Sequence, residues 1–289
     1  MPISKFIPEF WASMVLDFAR KNLVYAQPNI VNRNWTGEIS QRGDKVHVIG
    51  LGDVDIIDYT DGTDMADATA PDDAETLLEI TEDKAFRFLV TDKQSKQAAG
   101  TFLTPMMQKA GYRMQDKIDQ FVASLYTDAS AANAVGSDGS PKTPVATAGD
   151  ASNVFNLIVD CGRRLSDSLV PTTGRWMIIP PAMEALAVKE LHVSGASAPQ
   201  LGNATAINGL IGRLAGFDLI VSHNVPNTAG TKYKILFGTN EAITFADQIA
   251  MVESIRHQKQ FADIVRGHNL YGAKVVQPDY LGVMTCNFS

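Results

Sequence analysis

One stretch of the sequence concentrates acidic residues without any neighbouring base, and this strongly limits how the chain can fold. Residues 53–83 hold twelve Asp and Glu residues and no Lys or Arg, whereas the other 258 residues hold 25 bases and 20 acids; the net charge of the 289 residues is −7. A run of like charges is either a solvated acidic loop or one half of a complementary pair of surfaces. The sequence alone leaves both interpretations open.

Segments of alternating polar and apolar residues flank the acidic stretch and predict strands. Residues 45–49 alternate, and residues 76–90 place Leu78, Ile80 and Phe86 on one face. Together they predict a long two-stranded ribbon with an acidic tip. Because an isolated two-stranded ribbon is unstable in water, this ribbon needs a partner surface, either on the same chain or on a neighbouring subunit.

A long amphipathic helix is predicted after the ribbon. Thr104 and Pro105 form a helix start, and apolar residues then recur at spacings of three and four as far as Tyr126. At 1.5 Å per residue the helix is about 33 Å long. Its polar face carries the bases Lys109, Arg113 and Lys117, which the simplest interpretation leaves in solvent.

The rest of the chain mixes helices and strands without strict alternation. Further helices are predicted over residues 8–22, 154–169 and 183–189, with a weaker helical turn over 92–99. Strands are predicted over 175–179, 217–222, 233–237, 251–256, 270–277 and 281–288. Small polar residues predict loops over 128–150 and 194–206, and the first of these loops marks a domain boundary. This order favours an α+β fold.

Composition excludes several classes of protein. Two cysteines, Cys161 and Cys286, are too few for a disulfide scaffold or a four-ligand zinc site, and Cys161 lies on an apolar stripe as a core thiol. The negative net charge argues against an electrostatic nucleic-acid binder. No apolar run approaches the roughly 20 residues of a membrane span. The first residues lack the apolar core of a signal peptide, which favours a cytosolic setting.

No catalytic or cofactor motif is complete. Gly50 and Gly52 begin a dinucleotide fingerprint, but Asp55 stands where the third glycine is required. The glycines within residues 209–216 suit a tight turn, and the histidines form no metal-binding pair. We therefore expect that the protein binds no cofactor, holds no resident metal and is not an enzyme. The cluster Asp61–Asp67 supplies oxygen ligands for weak divalent-cation binding, and a metal-assisted enzyme built on it is the alternative from a different class.

Three segments of the sequence resemble those of a known family. A strand that enters a helix is predicted at Trp176–Ala182, and a turn and strand are predicted at Gly209–Leu219 followed by Val221 and Ser222. A returning strand is predicted at Tyr271–Pro278. Their order, together with the ribbon and the long helix, resembles the major capsid proteins of tailed bacteriophages that share the Hong Kong 97-type fold. The resemblance covers nearly the whole chain.

The resemblance implies a division of the chain and a function. The implied parts are an N-terminal arm (1–35), an extended E-loop with its base strands (36–90), a peripheral domain with a spine helix (91–127), an axial domain (128–261) and C-terminal strands returning to the peripheral domain (262–289). The implied function is a coat protein whose hexamers and pentamers form an icosahedral shell around double-stranded DNA, assembled in the bacterial host cytoplasm and located in the virion. An encapsulin-type compartment shell is the alternative.

The resemblance also implies partners. Besides other copies of the chain, these are a portal protein, decoration proteins and the packaged DNA, which the shell encloses without specific contacts; no membrane is implied. Because the arm begins almost at once, a separate scaffolding protein is expected instead of an internal one. Some members cross-link through an E-loop lysine, but residues 53–83 contain none, so we expect no covalent bond between subunits.

In this family the E-loop lies over the peripheral domain of an adjacent subunit, which implies where the acidic ribbon docks. An acidic set on one subunit is expected to face a basic set on its neighbour. The acidic set is Asp61, Asp64, Asp67, Asp72 and Asp73, and the basic set is Arg20, Lys21, Lys109, Arg113 and Lys117.

Overall fold

The computed structural model describes residues 24–34, 45–51, 73–92, 103–147, 150–193 and 212–288. Within these residues the chain mixes helices with mainly antiparallel sheets, so the expected α+β class is confirmed. The helix predicted over 8–22, the loop over 194–206 and most of the acidic stretch lie outside the described residues, as do residues 93–99 of the weak helical turn.

The helices and strands follow the predicted order with several shifted ends. The described helices are α1 (Leu103–Ser124), α2 (Val154–Asp167) and α3 (Pro181–Val193). The described strands are β1 (Lys45–Leu51), β2 (Asp73–Glu79), β3 (Glu82–Thr91), β4 (Ala134–Val135), β5 (Trp176–Ile179), β6 (Arg213–Leu214), β7 (Phe217–Val221), β8 (Asn227–Thr228), β9 (Lys232–Gly238), β10 (Ile243–Arg256), β11 (Ala262–Val275) and β12 (Leu281–Asn287).

Strands β1 and β2 form the base of the predicted ribbon. They pair antiparallel, with Lys45 opposite Glu79 and Leu51 opposite Asp73. The single strand predicted over 76–90 is wrong, because the chain changes sheets at Ile80 and Thr81. Ile80 is buried at this crossing against Ala246 and Leu270, and β3 then pairs with β11 instead of β1.

A three-stranded sheet forms from β10, β11 and β3, in that order. Strands β10 and β11 make a long antiparallel hairpin, and β3 pairs antiparallel with the other side of β11. One face of this sheet packs on α1 through a small apolar cluster of Met107, Val252 and Val265, with Phe86 and Phe88 beside it. Within the described residues, the opposite edge of β3 has no strand partner.

A larger sheet holds the main core. Its strands run in the order β4-β12-β9-β5-β7-β6, with β8 attached to β9. Strand β5 is buried along its whole length, and buried side chains of α2 and α3 join it in one apolar cluster. Cys161 of α2 is fully buried in that cluster, which confirms its prediction as a core thiol. Burial also raises the pKa of the Cys161 thiol.

Helix α1 links the two regions. Near its N-terminal end, Met107 packs with the three-stranded sheet, whereas Ile118 and Val122 belong to the main core. The helix begins within two residues of its predicted start and continues as a 3₁₀ turn over Leu125–Asp128. The spacing of its apolar residues therefore predicted both its length and its buried face.

Two strand pairings cross the boundaries of the expected division of the chain, and that division stays a prediction. Strand β10 pairs with β11 in the three-stranded sheet, and β12 pairs with β9 and β4 in the large sheet. The chain turns through Pro278–Tyr280 between β11 and β12, which brings β12 to the large sheet.

The loop expected over 128–150 is pinned to the large sheet. Strand β4 pairs parallel with β12, and the buried Lys234 donates from Nζ to Asp138 Oδ1 at 2.7 Å and to Thr285 Oγ1 at 3.1 Å. The predicted tight turn is also present, because Ala215 and Gly216 adopt positive φ angles of 48° and 89° between β6 and β7. Residues 209–211 lie outside the described residues.

Candidate assembly surface

A basic groove lies between the free edge of β3 and the exposed face of α1. Its volume is about 810 Å³. Of the described residues that line it, five are basic and one, Asp116, is acidic. The basic residues are Lys84, Arg87, Lys109, Arg113 and Lys117. A groove of this charge attracts an anionic partner and disfavours a cationic one.

The α1 wall of the groove follows from helical spacing. Lys109, Arg113 and Lys117 recur every four residues and are exposed on the same side of α1. Met107, Ile118 and Val122 face away from the groove and are buried, which fixes the rotation of the helix. The structure therefore brings together the three α1 bases that the sequence singled out.

The β3 wall adds two bases that the sequence reasoning missed. Lys84 and Arg87 lie on this edge strand and line the groove with the α1 bases. Lys84 pairs with Glu82 at 2.7 Å, and Lys117 donates to Gln120 Oε1 at 2.9 Å. Among the described side chains, Arg87 and Arg113 have no carboxylate partner within salt-bridge distance. Their charges are therefore available to an incoming anionic segment.

Apolar side chains between the two walls complete the groove. They come from β3 and from the inner turns of α1: Phe86, Phe88, Met106, Ala110 and Met114. The rings of Phe86 and Phe88 stack with centroids 6.4 Å apart. Opposite Phe86 on β11 stands Gly267, where a Cβ would lie only 2.8 Å from the Phe86 ring. The glycine thus allows Phe86 to lie against β11.

The other predicted contact residues cannot be placed on this surface. Asp61, Asp64, Asp67, Asp72, Arg20 and Lys21 lie outside the described residues. Asp73 begins β2, opposite Leu51 of β1. Their expected contacts with a neighbouring subunit remain predictions.

Metal ligands and membrane-spanning helices are the other features to consider in the described residues. No group of three or more His, Cys, Asp or Glu side chains among them is arranged to hold a metal ion. The Asp61–Asp67 cluster lies outside them. No helix in the described ranges has the length and apolar character to cross a membrane.

Residues 74–285 match a protein family described as "Phage capsid protein". The chain belongs to the phage capsid protein family. The expected resemblance to tailed-phage major capsid proteins with the Hong Kong 97-type fold is thereby confirmed. No curated protein matches the chain.

Solved structures support this capsid protein assignment along nearly the whole chain. A chain from Mycobacterium phage Che8 is similar with a TM-score of 0.70 and 29% identity, covering 91% of each chain. The capsid of cyanophage P-SCSP1u gives a TM-score of 0.67 at 16% identity, covering 93% of this chain and 90% of that one. The capsid of Ralstonia phage GP4 also gives 0.67, at 13% identity, covering 94% and 91%. The last two show the fold alone.

The family match favours a major capsid protein over an encapsulin-type shell protein. A coat protein acts by binding other copies of itself, so the surfaces that matter are those that another copy can cover. Of the surfaces that the structure describes, the basic groove has the charge that most clearly favours binding of a partner.

Proposed function

We propose that this major capsid protein assembles by laying the acidic segment of one subunit, residues 53–72, into the basic groove of its neighbour. Repeated contacts of this kind build hexamers and pentamers, which close into an icosahedral shell around double-stranded DNA. A separate scaffolding protein, a portal protein and decoration proteins are the further partners that this function calls for.

The observation that carries the proposal is the match between two opposite charge distributions on one chain. Residues 53–72 hold seven acids and no base, whereas the groove collects five bases and a single acid among its described lining residues. Each exposed ion pair contributes only about 0–1 kcal/mol. A closed shell repeats the contact many times, so small energies add up to a decisive one.

The free edge of β3 supports an extended occupant. An edge strand presents backbone N–H and C=O groups that can pair with another strand. The groove runs along this edge, and the apolar side chains Phe86 and Phe88 lie beside it. An extended acidic segment could therefore gain main-chain hydrogen bonds and apolar contact as well as charge pairing.

A pair of matched charge reversals tests the proposal. Lys109→Glu with Arg113→Glu reverses two groove bases, and Lys142→Glu with Lys189→Glu makes the same change in net charge at exposed sites elsewhere. Shells are counted by electron microscopy and sedimentation at low and moderate salt. We expect the groove variant to lose at least tenfold in assembly yield while the control assembles like the wild type.

Restoring the charges in trans sharpens that test. The double change Asp64→Lys with Asp67→Lys is introduced either in a second subunit that is mixed with the groove variant or in the groove variant itself. Assembly should recover in both cases, because the two reversed surfaces again attract each other. Equal assembly by the groove variant and its control would contradict the docking proposal without affecting the family assignment. The same particles, purified after infection or co-expression, distinguish a DNA-filled capsid from a shell loaded with protein.

A further inference from the structure

The segment 24–34 is held against the fold at both of its ends. At its far end, Asn32 donates its N–H to the carbonyl of Ile243 at 2.8 Å and accepts from the N–H of Phe245 at 2.9 Å. Arg33 lies over the Phe245 ring, 5.1 Å from its centroid, and pairs with Asp247.

At the near end of segment 24–34, one buried carboxylate accepts hydrogen bonds from the backbone. Asp119 of α1 is 3% exposed. Its Oδ2 accepts the backbone N–H of Val24 at 3.0 Å, and its Oδ1 accepts that of Tyr25 at 3.1 Å. The N–H of Ala26 also bonds to this carboxylate. These N–H groups belong to a turn and have no strand partner, so Asp119 takes the place of one.

Asp119 is a costly residue at this position. It lies on the buried side of α1 between Ile118 and Val122, where an apolar residue would pack without a desolvation penalty. Burial outweighs the three N–H bonds and, with the nearby Asp116, raises the pKa of Asp119 to about 6. Once the segment detaches, solvent reaches the carboxyl and its pKa returns toward the ordinary value near 4.

Protons can reach the carboxyl through a pocket beside it. This pocket has a volume of about 140 Å³ and places Asp119 near Asp116, Tyr112 and His223. On the segment's side the only titratable neighbour within the described residues is Tyr25, whose pKa burial raises further above its ordinary value. Because His223 lines the same pocket as Asp119, an experiment needs a control variant at His223.

We propose that Asp119 is a proton-controlled latch for the N-terminal part of the chain, holding segment 24–34 more firmly when the carboxyl is protonated and less firmly when it is ionised. A group whose pKa is higher in the attached state takes up a proton on attachment, so attachment strengthens as the pH falls. With the two pKa values above, the attachment constant should rise about tenfold between pH 7 and pH 5.

Hydrogen exchange of the full-length protein tests the latch. Exchange of peptides covering residues 24–34 is measured between pH 5 and pH 7.5 at constant ionic strength, corrected for intrinsic rates and referenced to β5. The wild type should show about tenfold greater protection at pH 5 than at pH 7. Asp119→Asn should remove this slope, and His223→Gln should keep it.

A slope that survives Asp119→Asn, or disappears in His223→Gln, would overturn the latch. A ¹³C NMR titration of the Asp119 carboxyl in the wild type provides a measurement that does not depend on any variant folding. An apparent pKa near 6 is expected there, and a value near 4 would also overturn the proposal.

Discussion

The large sheet and the three-stranded sheet differ in how large an apolar core each one buries within the subunit. Around the large sheet, side chains of α2, α3, β5 and β9 form one continuous buried cluster. The three-stranded sheet shares that cluster at one end, through Ile243, Phe245, Tyr271 and Val275, and elsewhere its described residues form only small clusters, such as Met107, Val252 and Val265. It also leaves Leu89 and Phe261 exposed. A region with a small core and a free edge gains most from an external partner, and we propose that this partner is a second subunit.

The largest expected effect separates the two regions by stability. Phe237 is fully buried on β9 and contacts Phe217 edge-to-face, with centroids 6.1 Å apart. Phe237→Ala should therefore lower the free energy of unfolding by about 3–5 kcal/mol in a urea titration of the unassembled protein. Phe261→Ala removes a ring that is 85% exposed and should change it by less than about 0.5 kcal/mol.

Similar losses for both phenylalanines would break this comparison, because the three-stranded region would then depend on its own packing as strongly as the large sheet does. A stable Phe261→Ala variant that assembles poorly would sharpen it by assigning the exposed ring to a contact between copies.

A smaller effect tests the wall of the groove. A Cβ at position 267 would lie 2.8 Å from the Phe86 ring and 2.9 Å from Val252 Cγ2, so Gly267→Ala must displace Phe86. We expect a loss of about 1–3 kcal/mol in the same urea titration, together with reduced assembly. Gly212→Ala is the matched control, because a Cβ there meets open space. Normal assembly by Gly267→Ala would show that the position of Phe86 does not matter to the groove.

Local sequence patterns predicted the positions of helices and strands better than they predicted which strands pair. The bounds of α1 were predicted closely from the helix start at Thr104 and Pro105 and from the spacing of the apolar residues. The break between β2 and β3 was missed because the alternation of residue types continues through Ile80 and Thr81, while the two halves pair with different sheets. Pairing depends on residues almost two hundred positions away, which a local pattern does not contain.

The candidate surface was predictable to a similar extent. The α1 bases recur at helical spacing and were identified, whereas Lys84 and Arg87 join them only because β3 is an edge strand beside α1. Asp119 did leave a signal, namely a carboxylate next to Ile118 on the buried side of an amphipathic helix. That signal was missed because a sequence does not reveal which backbone N–H groups such a carboxylate meets.

Cross-linking between two differently marked subunits tests the central claim most directly. One variant carries Asp64→Cys and the other Lys109→Cys; the native Cys161 and Cys286 are buried and unreactive in folded particles. After co-assembly and treatment with a short bis-maleimide, we expect a covalent dimer containing one subunit of each kind. Fully assembled particles that yield only monomers would contradict the docking of the acidic segment on a neighbouring groove.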